Sequence, residues 1–214
     1  MRSIYIFSGL GTDERVMRDI DLSGFQPIFV QWMPPFSGEG IEDYCKRLSQ
    51  PIDPDRPVLI GLSFGGMIAV EVGKHIATEK IILIASAKTK HEIPFYYRLA
   101  GLFGLHRLLP TWLMMRSTPF SNWAFGVKSP KEKQLLADIL TDMDPVFFKW
   151  AIREIVRWKN EVLHDNLLHI HGTADRILPY LFVKPDITVE KGGHFMTVNK
   201  AMEVTGIVRG LLDQ

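Results

Sequence analysis

The 214-residue sequence predicts an α/β protein: a three-layer α/β/α sandwich with a mostly parallel sheet of about six strands and a helical insertion. Three observations predict it. Short apolar runs rich in β-branched and aromatic residues are continuous rather than alternating, as in parallel strands covered on both faces. Helical patterns lie between those runs, and strand–helix alternation implies a parallel sheet flanked by helices. The alternation stops near Lys88 and resumes at Asn166, so residues 1–88 and 166–214 read as one core and 89–165 as a helical insertion.

Taken in order, the first four strands are expected at 3–8, 27–32, 58–62 and 80–85. Val16, Met17 and Ile20 share a helical face behind Thr12 and Asp13, which are good N-cap residues. Ile41, Tyr44, Cys45 and Leu48 fall at i, i+3, i+4 and i+7 of a second helix, and residues 65–77 form a third. Within the insertion, Leu135, Leu136, Ile139 and Leu140 mark one amphipathic helix, and Phe148, Ala151, Ile152, Ile155 and Val156 mark another. Pro94, Pro110, Pro119, Pro130 and Pro145 divide this stretch into short helices. Strands are expected again at 167–171 and 187–190, before a C-terminal helix with the stripe Val204, Ile207, Val208, Leu211 and Leu212.

Composition narrows the function classes. A chain 46% hydrophobic and 23% charged can bury a sizeable core, which excludes global disorder. Lys and Arg total 25 against 24 Asp and Glu, so the overall charge gives no argument for nucleic acid or an anionic membrane. Cys45 is the only cysteine, which excludes an internal disulfide and a multi-cysteine metal site. The four apolar residues at 4–7 are too few for a signal-peptide core, and the uncharged run 58–70 is too short to span a bilayer. The expectation is a cytoplasmic protein without stable membrane insertion.

The chemistry concentrates in Gly61-Leu62-Ser63-Phe64-Gly65, a G-x-S-x-G motif between an expected strand and an expected helix. A turn this sharp strains the serine backbone, and flanking glycines remove side chains that would clash. It also exposes the hydroxyl at a helix N-terminus, where the dipole favours developing negative charge. A serine needs a base to take its proton and an acid to hold that base; after a strand-to-helix turn of this kind the expected chain order is Ser, Asp or Glu, His. Asp175 follows His171-Gly172-Thr173-Ala174 at one strand end, and His194 follows Gly192-Gly193 beyond the next. All three groups lie at carboxyl ends of strands, where open α/β sheets place their sites.

On G-x-S-x-G-G, on H-G-x-x-D-x-x-x-P from His171 to Pro179, and on G-G-H, the sequence resembles the α/β-hydrolase superfamily, most closely its small capped carboxylesterases of the pimeloyl-ester type. The resemblance covers 3–32, 56–86, 166–179 and 186–212, and the insertion occupies the family's cap position. It implies Ser63 as nucleophile, Asp175 as triad acid and His194 as general base. It implies the backbone N–H groups of Phe64 and Leu10 as oxyanion donors, no cofactor, no metal, and a small-molecule ester or thioester substrate with an apolar group. Two departures stand out: Ser8 replaces the histidine usual before Gly9, and the first strand here corresponds to the family's third. The 19-residue interval from Asp175 to His194 leaves little room for a full helix.

Other residues carry weaker readings. His169 and His171 alternate onto one strand face but lack a third metal ligand at convincing spacing, and His75, His91, His106 and His164 read as surface or packing residues. Asp138, Asp142 and Asp144 read as a solvated helix end, and Cys45 as a buried thiol. The insertion's 12 aromatic residues, from Phe95 to Trp158, read as cap packing, some of them lining an apolar acyl pocket. Residues 95–115, apolar but carrying Arg98, His106 and Arg107, also admit a lipid-interface reading. C–C bond hydrolysis on the same fold and a non-catalytic binding module are the competing functions.

Overall fold

The computed structural model describes residues 2–10, 12–53, 55–104 and 111–213, with the side chains of 112 and 113 outside it. His106, Arg107, Pro110 and Gly11 therefore lie outside the described residues, as does the Trp112 side chain.

Six strands form one parallel sheet: β1 (Ser3–Phe7), β2 (Gln26–Phe29), β3 (Val58–Leu62), β4 (Lys80–Ile84), β5 (Leu167–Gly172) and β6 (Ile187–Val189). Their order is β2-β1-β3-β4-β5-β6, and every neighbouring pair is parallel. The continuous apolar runs are explained by two cores. Ile4 and Ile6 of β1 point to one face with Ile60, Ile82, Ile84 and Ile170. Tyr5 and Phe7 point to the other with Leu59, Ile81 and Leu83. Since both faces are covered, both residue parities are apolar along most of the sheet, the buried polar exceptions being His169 and His171 of β5.

Helices α1 (Ile41–Ser49) and α2 (Phe64–Val72) cover the second face, and α8 (Met196–Asn199) and α9 (Ala201–Leu212) the first. All nine residues of α2 are buried; eight are apolar or glycine, and the ninth, Glu71, accepts from Trp158 Nε1 at 2.7 Å and pairs with Lys74. It stops at Gly73, short of the expected 77; a side chain there would meet the Ile81 methyl at 2.7 Å. The helix expected around Val16 to Ile20 is only a 3-10 turn, Glu14–Val16. Asp13 caps it as expected, but Asp21 accepts from the Ser23 N–H and turns the chain before a helix can propagate. Val16, Met17 and Ile20 are buried all the same.

Among the described residues between β4 and β5 lie the helices α3 (Phe95–Leu102), α4 (Thr111–Met114), α5 (Pro119–Phe125), α6 (Pro130–Asp142) and α7 (Pro145–Arg157). The prolines that divide this stretch sit at the first positions of α5, α6 and α7, where no N–H is needed. Thr118 and Ser129 build capping boxes, and Asp144 accepts from the Phe147 N–H. Asp144 is thus a helix cap rather than only a solvated charge. Among the described residues, no helix is long and apolar enough to cross a membrane.

Candidate active site

Ser63 joins β3 to α2 with φ 53° and ψ −122°, a left-side conformation that costs a non-glycine residue on the order of 1–3 kcal/mol. Close packing holds it there. A Cβ on Gly65 would lie 2.2 Å from the carbonyl oxygens of Phe7 and Ser8, and one on Gly61 2.4 Å from the Gly66 Cα. Only hydrogen fits at these places, so α2 sits directly against the ends of β1 and β3. The Ser63 N–H donates to the Ile84 carbonyl at 2.9 Å, and the Ser86 hydroxyl donates to the Ser63 carbonyl at 2.6 Å. Ser86 is thereby part of the elbow's support, which its sequence position after β4 did not disclose.

Ser63, His194 and Asp175 are joined by hydrogen bonds. His194 Nδ1 lies 2.7 Å from Asp175 Oδ2, and His194 Nε2 lies 2.8 Å from Ser63 Oγ. A carboxylate only accepts, so Nδ1 carries the proton and Nε2 presents its lone pair to the serine O–H, which donates. Asp175 Oδ1 accepts from the N–H groups of Ile177 and Leu178 at 2.8 and 2.9 Å. Burial pushes this carboxyl up, but the charge and hydrogen bond of His194, the His171 ring and the Leu178 N–H together hold it below its ordinary value. The carboxylate therefore stays ionised within a site where it is 4% exposed, with His194 5% exposed. Ser63 is the half-buried member.

The loops are brought together by another close approach. A Cβ on Gly172, at the end of β5, would lie 2.2 Å from the Gly192 carbonyl, which accepts from the Ala174 N–H at 2.9 Å. The segments carrying Asp175 and His194 are thus stitched side by side.

His169 and His171, weighed as metal ligands in the sequence, form a buried pair behind Asp175. His171 Nε2 lies 2.8 Å from the Leu178 carbonyl and 3.5 Å from Asp175 Oδ2. That carbonyl can only accept, so Nε2 is protonated and Nδ1 accepts from His169 Nε2 at 3.1 Å. Burial lowers both pKa values, that of His169 strongly, so both rings are neutral. Among the described residues, no group of three or more His, Cys, Asp and Glu is arranged to hold a metal ion. Cys45 is fully buried on α1, and burial pushes its thiol up, away from reactivity. Asp186, which carried no reading in the sequence, accepts from the His169 N–H and pairs with Lys88.

The oxyanion candidates flank the serine. Phe64 is the first residue of α2, so its N–H is among those no intrahelical carbonyl can reach. Leu10 follows Gly9, where a Cβ would be 3.5 Å from the Ser63 Cβ. The loop is closed by Ser8 Oγ donating to the Thr12 carbonyl at 2.5 Å and by Thr12 N–H donating to the Gly9 carbonyl. Ser8, in the position where histidine is usual, thus has a structural partner.

The helical segment reaches this site from two directions. The Phe125 ring packs edge-on against His194 at 5.6 Å, and the Phe125 carbonyl accepts from the Phe195 N–H. From the other side Phe147 and Trp150 of α7 pack on Phe64 at 6.3 and 6.0 Å, with Trp32 and Tyr44 completing the aromatic cluster. Two grooves, about 630 Å³ beside β2 and about 660 Å³ between loop 35–37 and α7, are lined by none of Ser63, Asp175 and His194; the second reaches Trp150.

Residues 9–204 match the family described as the alpha/beta hydrolase family. No curated protein sequence matches the chain. Among solved structures it is similar to a hydrolase from Oleispira antarctica, at 13% identity and TM-score 0.72, covering all of this chain and 92% of that one. An esterase from Exiguobacterium antarcticum is similar at 15% identity and TM-score 0.69, with 100% and 92% covered. A meta-cleavage product hydrolase from Pseudomonas fluorescens IP01 is similar at 13% identity and TM-score 0.69, with 100% and 91% covered. At these identities the likeness is one of fold.

Proposed function

The chain belongs to the alpha/beta hydrolase family, and on that premise we propose that it is a serine hydrolase of carboxylic esters or thioesters bearing an apolar group. The observation that carries this reading is the hydrogen-bonded series Asp175–His194–Ser63, with spacings of 2.7 and 2.8 Å. Ser63 Oγ attacks the substrate carbonyl carbon while His194 Nε2 takes its proton. The carbonyl oxygen becomes an oxyanion facing the N–H groups of Phe64 and Leu10, a kind of donor each worth about 10²–10³ in kcat. Collapse of the tetrahedral intermediate breaks the bond to the alcohol or thiol, which leaves with the proton from His194. Water then attacks the acyl-enzyme, giving its proton to His194, and the second collapse releases the acid and restores Ser63. Asp175 holds the imidazole in the tautomer this cycle needs and stabilises the imidazolium.

In the same reading, residues 89–165 act as a cap over the serine. Support comes from Phe125 on His194 and from the α7 aromatics on Phe64, which give an apolar wall beside the hydroxyl. A hydrolysis screen with acyl esters and thioesters of graded chain length tests the proposal. The expected outcome is turnover that rises with acyl length and disappears in Ser63→Ala. Turnover of a C–C-linked diketone alone would assign the site to carbon–carbon hydrolysis instead, and no turnover in any class would favour a binding module.

A further inference from the structure

Among the described residues, nine of the fourteen large apolar side chains that are exposed lie on or next to α3, α5 and the turn at 180–182. Phe95, Leu99 and Leu102 lie at i, i+4 and i+7 of α3, with exposures of 61%, 46% and 76%, and Phe103 follows at 72%. This is an apolar helical stripe turned outward. Beside it runs the 3-10 turn Tyr180–Phe182, whose Phe182 ring packs on Phe95 and Tyr96 and whose Leu181 is 88% exposed. On α5, Phe120 and Trp123 are 74% and 55% exposed, and Arg176 stacks over the Trp123 ring at 4.7 Å. Loop 175–182 joins these pieces: Arg176 donates to the Trp123 carbonyl, and Tyr97 Oη donates to the Ile177 carbonyl. Single exposed apolar residues are ordinary, but a contiguous patch marks an interaction surface.

The charge of the same segment says what it meets. Between Glu92 and Glu132 the sequence has no Asp or Glu and five Lys or Arg, leaving the rest of the chain net acidic. The overall charge of +1 hides this asymmetry. Among the described residues, Arg98, Lys128, Lys131 and Lys184 are exposed on or beside these elements. Apolar rings and leucines interleaved with cations, on a segment that itself carries no Asp or Glu, complement a surface whose interior is hydrocarbon and whose rim is anionic.

We propose that the face built from α3, α5 and the turn Tyr180–Phe182 docks the protein on an anionic phospholipid surface, the leucines and rings entering the headgroup–acyl boundary and the cations meeting lipid phosphates. The loop beneath this face begins at Asp175, and α5 ends on His194 through Phe125, so the docked face adjoins the candidate active site. The docking stands on exposure and charge and does not depend on the hydrolase reading.

Co-sedimentation with vesicles tests it. The full chain should partition onto vesicles of phosphatidylglycerol mixed with phosphatidylcholine at least about tenfold more strongly than onto phosphatidylcholine alone, since each cation near an anionic surface is worth about fivefold. High salt should weaken the binding. The double variant L102D/L181D, at sites outside the core, should keep its melting temperature and lose at least about tenfold in partition through lost apolar insertion. Arg98→Glu should lose about fivefold or more. Ser63→Ala should bind as the wild type does, which separates this test from the catalytic one. Equal partition onto both vesicle types, no binding to either, or undiminished binding by L102D/L181D overturns the proposal. So does a wild-type dimer that L102D/L181D converts to monomer, because the face would then be covered by a second copy.

Discussion

Gly65→Ala is a single-methyl perturbation whose consequence follows from the backbone. The new Cβ would sit 2.2 Å from two carbonyl oxygens, those of Phe7 and Ser8. Ordinary van der Waals contact begins about 1.2 Å further out, and both obstacles are main chain, so no rotamer change relieves the clash. Either α2 lifts from the end of β1 or the Ser8–Leu10 loop retreats. Both movements separate the hydroxyl of Ser63 from the Leu10 N–H. Overpacking of this kind costs about 1–3 kcal/mol, which for a chain of this size lowers Tm by about 2–12 °C. Displacing one oxyanion donor should lower kcat about 10²–10³-fold. Gly206→Ala is the control: Gly206 lies in α9 with nothing within 4 Å of the position its Cβ would take. It should raise Tm by about 1–4 °C through helix propensity alone, with kcat unchanged. The assay pairs thermal unfolding with ester hydrolysis on both variants. If Gly65→Ala keeps wild-type Tm and kcat, the close approach of α2 to β1 is not what shapes the site.

The buried histidines give two further predictions. His169 has its pKa pushed down by burial, so below the ordinary histidine value the unfolded chain takes up a proton that the folded one refuses. Its contribution is fully present above about pH 6.5 and is lost as pH falls below that value, at up to about 1.4 kcal/mol per pH unit. Denaturant unfolding of His169→Gln between pH 7.5 and 5 should show a slope smaller by about that amount, and an unchanged slope would place the proton uptake elsewhere. His171→Leu removes the N–H that meets the Leu178 carbonyl and faces Asp175, leaving buried partners unpaired. It should cost about 1–3 kcal/mol and lower kcat more than it changes KM, as expected of a positioning residue; a folded variant with wild-type kcat would contradict this.

What the sequence made legible and what it left out have physical causes. The parallel strands were readable because burial on both faces leaves β1, β3, β4 and β5 apolar along most of their length, so their cores alternate while their composition does not; the buried polar exceptions, His169 and His171 of β5, hydrogen-bond each other. Strand ends were less so: β2 runs Gln26–Phe29 instead of 27–32; the Val30 N–H still donates to the Ile6 carbonyl of β1, but Trp32 and Met33 beyond it pack with Phe64 and Tyr44. The turn after β1 was read as a helix since burial of Val16, Met17 and Ile20 satisfies a helical period as well as a compact loop does. Ser63, Asp175 and His194 were visible as residues that follow strand ends. Ser86 was not legible in its supporting role, and of His171 the resemblance implied only a structural place and not its partners, because both act through carbonyls that carry no side-chain signature. The outward stripe on α3 read equally well as packing, since periodicity shows a face but not whether anything covers it.

Covalent labelling with a fluorophosphonate, read by peptide mass spectrometry, asks whether Ser63 is an activated nucleophile. A single adduct on Ser63 is expected in the folded protein, abolished in Ser63→Ala and strongly slowed in His194→Ala. A wild-type protein that resists the probe, or a Ser63→Ala variant that labels at the same rate, would contradict it.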